Sequence, residues 1–256
     1  MRRIVVSSEV LQIMSPGEVT LARRESHYAR HVLRLGVGDE VELLDGRGSR
    51  GRGRIRAMEG DVVRVELSEF GQCRESESAL SIMLLMGMPK ANHWEFILQK
   101  TTELGVDQLW PVYTERSEVR VPPDKLDERL ERWGRICAES TKQCGRSRAP
   151  ELLAPVELKV ALETLQRDQS LDLQLVAWEK EPSRPGERAL EAMLGGRDVH
   201  RVVLFVGPEG GLTQAEVQQA ALAGFQVVSV GPRILRTETA AIVLTALVQY
   251  RLGDLG

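Results

Sequence analysis

Aromatic residues are scarce in this chain, only 4% of its 256 residues. So thin a supply of flat side chains argues against a single-strand nucleic-acid platform on which successive bases stack. Cysteine is nearly absent as well: Cys73, Cys137 and Cys144 form an odd set with no CxxC spacing. Such a set reads as free thiols in a reducing cytoplasm and leaves no basis for a disulfide framework. Long apolar runs are missing too. The longest nearly unbroken stretch, Ala240 to Val248, is too short to span a bilayer, so no membrane partner is expected. The opening MRRIVVSSEV is basic but holds only a short apolar run, which does not make a secretory signal. The expected location is cytoplasmic.

What is present is an ordinary globular composition, 42% hydrophobic and 28% charged, enough to bury a core in one large or two unequal domains. The net charge of −3 taken alone argues against a nucleic-acid partner, but the charge is unevenly spread. From Thr20 to Arg56 nine arginines stand against five acids, 9 − 5 = +4, with no lysine among them. The planar guanidinium suits bidentate phosphate contacts better than an ammonium does.

The first ~70 residues read as short strands (IVV, VELLDG, RGRIRAM, DVVRVEL) with one short helix around Glu25 to Arg34. The polar run GQCRESESA reads as a linker, which places one domain at residues 1–72 and a second at 80–256. Beyond it the pattern is α/β. SIMLLMGM, LWPVY, LQLVAWE, VVLFVG and QVVSVG are continuous apolar runs, as parallel strands covered on both faces require. Asn92 and Glu95 have the spacing of a capping box, for a helix running to Leu104 and stopped by Gly105. Asp124 to Gln143 reads as a long helix with Leu126, Leu130 and Trp133 on one side.

Two arginine faces emerge in the first domain. His27, Arg30, His31 and Arg34 fall at i, i+3, i+4 and i+7 of the short helix, with Tyr28, Ala29, Val32 and Leu33 opposite. Arg50, Arg52, Arg54 and Arg56 alternate, so a strand puts all four on one side. Guanidiniums crowded on one face repel unless something anionic lies there. One such run is ordinarily a solvated surface, whereas two close together favour an RNA backbone. The His27/His31 pair lacks the Glu of HExxH, and no metal is expected. Gly46 to Gly51 matches GxGxxG letter for letter, but a strand rather than a helix follows, which reads as a hairpin loop.

The densest chemistry lies near the C-terminus. VVLFVGPEGGLTQAEV reads as a buried strand, a loop and a helix opened by a Thr213–Glu216 capping box. Gly207, Gly210 and Gly211 let backbone approach a ligand, Pro208 stiffens the loop, and Glu209 suits a ligand with positive charge. No Gly-Lys-Ser/Thr follows, so it is not a phosphate loop. One helix and one strand later comes VGPRILRTETAAIVLTALVQY. There Arg233, Arg236 and Glu238 open a helix that is apolar almost all round, and such a helix is buried or lies in an interface.

Together, GPEGG and GPRILRTETA resemble the RsmE family of methyltransferases, within the SPOUT superfamily, which act on N3 of a uridine in 16S ribosomal RNA. The resemblance extends upstream. MPKANHWEFILQKTTELGV, with Lys100, is similar to the family's lysine-bearing segment and helix, and RWGRICAESTKQCGRSRAPEL to its helix ending in Gln-x-x-Arg, here Gln143 to Arg146. It implies a PUA-like β-barrel followed by a trefoil-knotted α/β domain. It implies S-adenosyl-L-methionine held by Gly207, Pro208, Glu209, Gly210, Gly211, Val230, Gly231, Ile234, Leu235, Arg236 and Thr239. It also implies ribosomal RNA or the small subunit as partner, and a homodimer through the C-terminal knot helix. Arg23, His27, Arg30, Arg34, Arg50, Arg52, Arg54, Lys100 and Arg146 are the candidate RNA contacts.

Methyl transfer to a uracil N3 requires loss of a weakly acidic imide proton. Arg236 is the candidate for stabilising the developing negative charge, and Glu238, or a water it holds, for taking the proton. A ribose 2′-O-methyltransferase of the same superfamily carries a Ser-Leu-Asn type segment where this chain has Ile234 to Thr239. A non-catalytic RNA-binding assembly factor has no use for the Gly207 to Gly211 loop.

Overall fold

The computed structural model describes residues 2–6, 17–45, 48–72, 77–179 and 198–256. The chain divides into two compact units, residues 1–77 with 138–149, and residues 78–137 with 150–256. Most of the run read as a linker, including Cys73, lies outside the described residues, as do the first two residues of the GxGxxG look-alike.

The first unit is built on five strands: β1 (Arg2–Val5), β2 (Glu18–Thr20), β3 (Glu40–Leu44), β4 (Ser49–Glu59) and β5 (Val62–Gln72). Their order is β1-β3-β4-β5-β2. β1 runs parallel to β3, and the other pairs are antiparallel. Along β4 the period of two is explicit: Gly51, Gly53 and Ile55 face inward while Arg52, Arg54 and Arg56 face out. Gly53 is required by contact, since a Cβ there would sit 2.3 Å from the Glu66 carbonyl oxygen. Ile4, Val41, Leu43, Ile55, Val63 and Val65 form the core.

Helix α1 (Arg23–His27) runs straight into a π turn at Tyr28–Val32, closed by the Leu33 N–H donating to the Tyr28 carbonyl at 2.9 Å. A wider turn rotates everything after it. This corrects the continuous four-residue face expected for the short helix. The His27 and His31 rings do stack, 4.6 Å between centroids, but Val32 is turned outward, 59% exposed. Arg34 lies beyond the helix in left-handed backbone, φ 54°.

The second unit holds β6 (Ser81–Gly87), β7 (Gln108–Tyr113), β8 (Glu151–Leu152), β9 (Val156–Glu157), β10 (Leu173–Ala177), β11 (Arg201–Val206) and β12 (Gln226–Val228). The sheet order is β12-β10-β11-β6-β7-β8, with β9 also on β7, and every pair is parallel. Its helices are α2 (Ala91–Glu103), α3 (Leu126–Cys144, of which residues 138–144 belong to the first unit), α4 (Leu158–Arg167), α5 (Gln214–Leu222) and α6 (Thr237–Leu252). On one face Ile82, Leu84 and Met86 pack with Trp94, Ile97 and Leu98 of α2, Trp133 of α3, and Leu244 and Val248 of α6. On the other, Leu85, Val203 and Phe205 meet Leu158, Leu162 and Leu165 of α4 and Val217 of α5. Coverage of both faces is why the strands read as unbroken apolar runs.

Helix α2 stops at Gly105, φ 85°, as its sequence requires. Its start differs from expectation. Lys90 is the N-cap and no side chain of the segment caps it, because Glu95 is drawn instead to Arg132 at 2.8 Å.

Candidate functional site

A cleft of about 350 Å³ opens at the carboxyl ends of β10, β11 and β12, where open parallel sheets bind their ligands. Three loops wall it: Ala177 to Glu179, Gly207 to Leu212, and Ser229 to Glu238. All the glycine-loop residues singled out above line it, together with Val230, Gly231, Ile234, Leu235 and Arg236. Thr239 does not: one helical step moves it to the exposed side of α6, while Thr237, Glu238 and Ala240 take the wall.

The first loop is held from every side. Gly211 N–H donates to the Pro208 carbonyl at 2.8 Å, a tight turn that needs the positive φ of 69° at Gly211. At the end of β6, a Cβ on Gly87 would lie 2.5 Å from the Pro208 ring. The Thr237 hydroxyl donates to the Gly207 carbonyl, tying α6 to the loop. The Thr213–Glu216 capping box forms as read. Glu216, only 7% exposed, also accepts the Glu115 N–H at 2.7 Å. Beside it the Arg116 guanidinium donates to the Gly210 carbonyl at 2.9 Å. The segment after β7 thus buttresses the loop.

Two residues of this loop carry contacts that the sequence does not show. A Cβ on Gly210, which lines the cleft, would meet Arg116 Cβ at 2.9 Å, so packing between loops also requires glycine there. Glu209 already has partners: it accepts the Lys90 N–H at 2.9 Å, capping α2 from outside, and lies 2.6 Å from His93 Nδ1. Burial pushes its carboxyl up, but the Lys90 N–H, its own N–H and the His93 imidazole outweigh this and hold it below the usual range.

In the second loop Arg236 is the N-cap of α6 and is exposed. Its guanidinium is therefore not desolvated, although it stands at the mouth of a largely apolar helix. Among the described residues it pairs with no acid. Two polar atoms of lining residues, Glu238 Oε2 and Trp178 Nε1, are enclosed without a hydrogen-bond partner. Buried polar atoms in native proteins rarely stay unpaired.

The arginine surface of the first unit is also different from the reading. The anions expected opposite Arg50, Arg52, Arg54 and Arg56 are supplied by neighbouring strands. Arg50 meets Glu42 at 2.6 Å, Arg52 reaches Glu42 and Glu69 at 3.7 and 4.0 Å, Arg54 meets Glu40 at 3.1 Å and Arg56 meets Glu66 at 2.8 Å. Cross-strand register sets these pairs, with Glu40 opposite Arg54 and Glu42 opposite Arg52. Arg146 is removed from the RNA candidates. It is 4% exposed, and its guanidinium donates twice to Glu77, at 3.0 and 2.9 Å. Lys100 pairs with Glu103 at 2.9 Å on its own helix, and Arg23 reaches Asp61 at 3.3 Å on the surface.

The sequence reading missed His93, Ser229 and Thr237 as lining residues. Trp178 lies at the end of the Leu173 to Glu179 segment, which the resemblance implies as one of three cofactor loops. His93 was out of reach, since it enters from α2, more than a hundred residues upstream of the glycine loop. Among the described residues no helix is long and apolar enough to cross a membrane, and no group of three His, Cys, Asp or Glu side chains could hold a metal ion.

Comparison with known proteins agrees with this geometry. Residues 76–249 match the family model of an RNA methyltransferase domain, and residues 21–68 that of an RNA methyltransferase PUA domain. A ribosomal RNA small subunit methyltransferase E of Bacillus subtilis is 30% identical over 253 residues, 98% of this chain and 97% of that protein. One of Synechocystis is 34% identical over 245 residues, 95% of this chain and 76% of that protein. Among solved structures, ribosomal RNA small subunit methyltransferase E from Neisseria gonorrhoeae, bound to S-adenosyl methionine, superposes with a TM-score of 0.84 at 31% identity, covering 100% of both chains. A PUA-like unit stands before an α/β unit of SPOUT type, and the chain belongs to the ribosomal RNA small subunit methyltransferase E family.

Proposed function

We propose that this chain is an S-adenosylmethionine-dependent methyltransferase acting on N3 of a uridine in 16S ribosomal RNA, in the cytoplasm. The observation that carries the reading is the strand-end cleft, with Glu238 Oε2 and Trp178 Nε1 enclosed and unpartnered in its wall. S-adenosylmethionine offers amino and hydroxyl donors to an acceptor such as Glu238, and carboxylate and ring-nitrogen acceptors to a donor such as Trp178. When bound it supplies an electrophilic methyl group on sulfur.

The chain's own residues then have separable tasks. Gly207 to Gly211, fixed by Glu216, Arg116 and Thr237, presents rigid backbone to the cofactor. Pre-set donors and acceptors of this kind need no reorganisation during reaction. The Glu238 carboxylate, in the cleft wall, would accept a hydrogen bond from the bound cofactor or substrate. Arg236, solvent-facing and without an acidic partner among the described residues, is free to approach O2 or O4 of the uracil and stabilise the imidate charge. RNA would be docked by the unit at residues 1–72, through His27, Arg30, Arg34 and the outward Arg52 and Arg54, whose cross-strand carboxylates are exchanged for phosphates. A trefoil knot in the C-terminal part, as in the family, would thread α6 against Gly207. The outer side of α6, where Leu247 and Tyr250 are 39% and 63% exposed, would pair two chains into a homodimer.

Calorimetry of the full chain with S-adenosylmethionine and with its demethylated product tests the cofactor part. Saturable binding is expected, weakened at least tenfold in Gly211→Val, where a branched side chain would strain the left-handed backbone, φ 69°, and crowd the Glu179 carboxylate, 3.2 Å from the added Cβ. No binding by the folded parent rejects it.

A further inference from the structure

We propose that His93 is the proton acceptor for the uracil N3–H, with Glu209 as the positioning residue that fixes its tautomer. The inference rests on the N3-methylation reading above and adds to it a residue that entered from outside the two glycine loops.

His93 sits in the first turn of α2 and lines the cleft. Its Nδ1 lies 2.6 Å from Glu209 Oε1. The direction of that hydrogen bond follows from the carboxylate. Glu209 collects the Lys90 N–H and its own N–H and is held below the usual carboxylate range, so at neutral pH it only accepts. Nδ1 must then carry the proton, and a neutral imidazole so arranged has its lone pair on Nε2. The ring lines the cleft, and Nε2 is then its one remaining acceptor. The same loop that holds the cofactor therefore orients the base.

The surrounding charges do not defeat the role. Lys90 is held by Glu118 at 3.0 Å. On the cleft walls Arg233, Arg236, Glu179 and Glu238 are the remaining charged groups, two of each sign. Glu238 is the competing acceptor. Histidine is the side chain most often found taking a proton in this way, and its ring can hand it on to water within a turnover.

The step balances. The N3–H bond breaks and its proton passes to His93 Nε2. The N3 electron pair forms the bond to the methyl carbon as the carbon–sulfur bond breaks and its pair stays on sulfur. The imidazolium then returns its proton to water.

Two measurements on the full chain test this. In the first, 15N NMR of the histidine side chains, assigned with His93→Gln, is expected to show Nδ1 protonated and Nε2 bare in neutral His93. The opposite tautomer overturns the proposal without reference to activity. In the second, single-turnover methylation is compared between the parent and His93→Gln. The rate of the variant is expected to drop ~10²-fold, while cofactor affinity by calorimetry stays within a few-fold. A His93→Gln rate like the parent's overturns the proposal. A parent that binds cofactor but methylates no RNA rejects the underlying reading instead.

Discussion

Glu216 is where the fold and the site are most tightly joined, and its removal should damage both. One of its carboxylate oxygens accepts the Thr213 N–H at 2.9 Å and the other the Glu115 N–H at 2.7 Å, from a side chain almost wholly enclosed. Glu216→Ala leaves two inward N–H donors without acceptors, at about 1–3 kcal/mol each where water cannot enter. It also abolishes half of a capping box, though that loss counts the Thr213 N–H again and is not added. The expected cost is about 2–6 kcal/mol, which for a chain of this size is roughly 5–20 °C in melting temperature. Glu216→Gln keeps one acceptor but turns an NH₂ toward the other N–H, so roughly half the loss is expected. Because Arg116 holds the same loop through Gly210, Arg116→Ala should be non-additive with Glu216→Gln in a double-mutant cycle. The assay is thermal melting paired with cofactor calorimetry on each variant. A Glu216→Ala protein that melts within a degree or two of the parent and binds cofactor equally well would refute the buttress.

Three further outcomes are expected. Arg236→Ala, altering an exposed cap side chain, should melt like the parent and bind cofactor normally, with single-turnover methylation reduced ~10²-fold; near-normal turnover removes it from the catalytic set. Replacing Arg50, Arg52 and Arg54 by Ala should flatten the salt dependence of RNA binding by roughly one unit of slope for each phosphate no longer neutralised. The same variant should lose stability, since Glu42, 4% exposed, keeps only Arg3 at 2.8 Å among its pairs to arginine; an unaltered salt slope confines these residues to the cross-strand role. Asp172 accepts the backbone N–H groups of His200 and Arg201 at 2.8 and 2.9 Å, which hold its carboxyl below the usual range. A depressed carboxyl stabilises the fold above its unfolded value, about pH 4, and loses that contribution as pH falls through the lower folded value. Asp172→Asn should therefore melt lower than the parent at neutral pH and converge with it in strong acid; a difference independent of pH counts against it.

The parallel sheet and the glycine loops were legible because each rests on short-range rules. Unbroken apolar strands imply coverage on both faces, and Thr213 with Glu216 gave a helix start that the structure reproduces. Helix α4 was equally legible and overlooked: Leu158, Ala161, Leu162 and Leu165 repeat at helical spacing and are all buried. Elsewhere tertiary partners overrode local patterns. Asn92 and Glu95 had capping spacing, yet a carboxylate from another loop caps α2. Arg50 to Arg56 alternated as read, but the acids opposite them lie on strands whose register the sequence does not print. Arg146 looked like a surface cation and is enclosed by Glu77, a residue at the far end of the first unit's main segment. The π turn at Tyr28–Val32 is a one-residue change of pitch that periodicity cannot anticipate.

The most direct measurement is to incubate the purified chain with S-adenosylmethionine and small ribosomal subunits from a strain lacking this protein, then map the methylated nucleoside by mass spectrometry. A single N3-methyluridine in 16S ribosomal RNA is the expected product. A methyl group on ribose oxygen or on C5, or no methylation by protein shown to bind the cofactor, would contradict it.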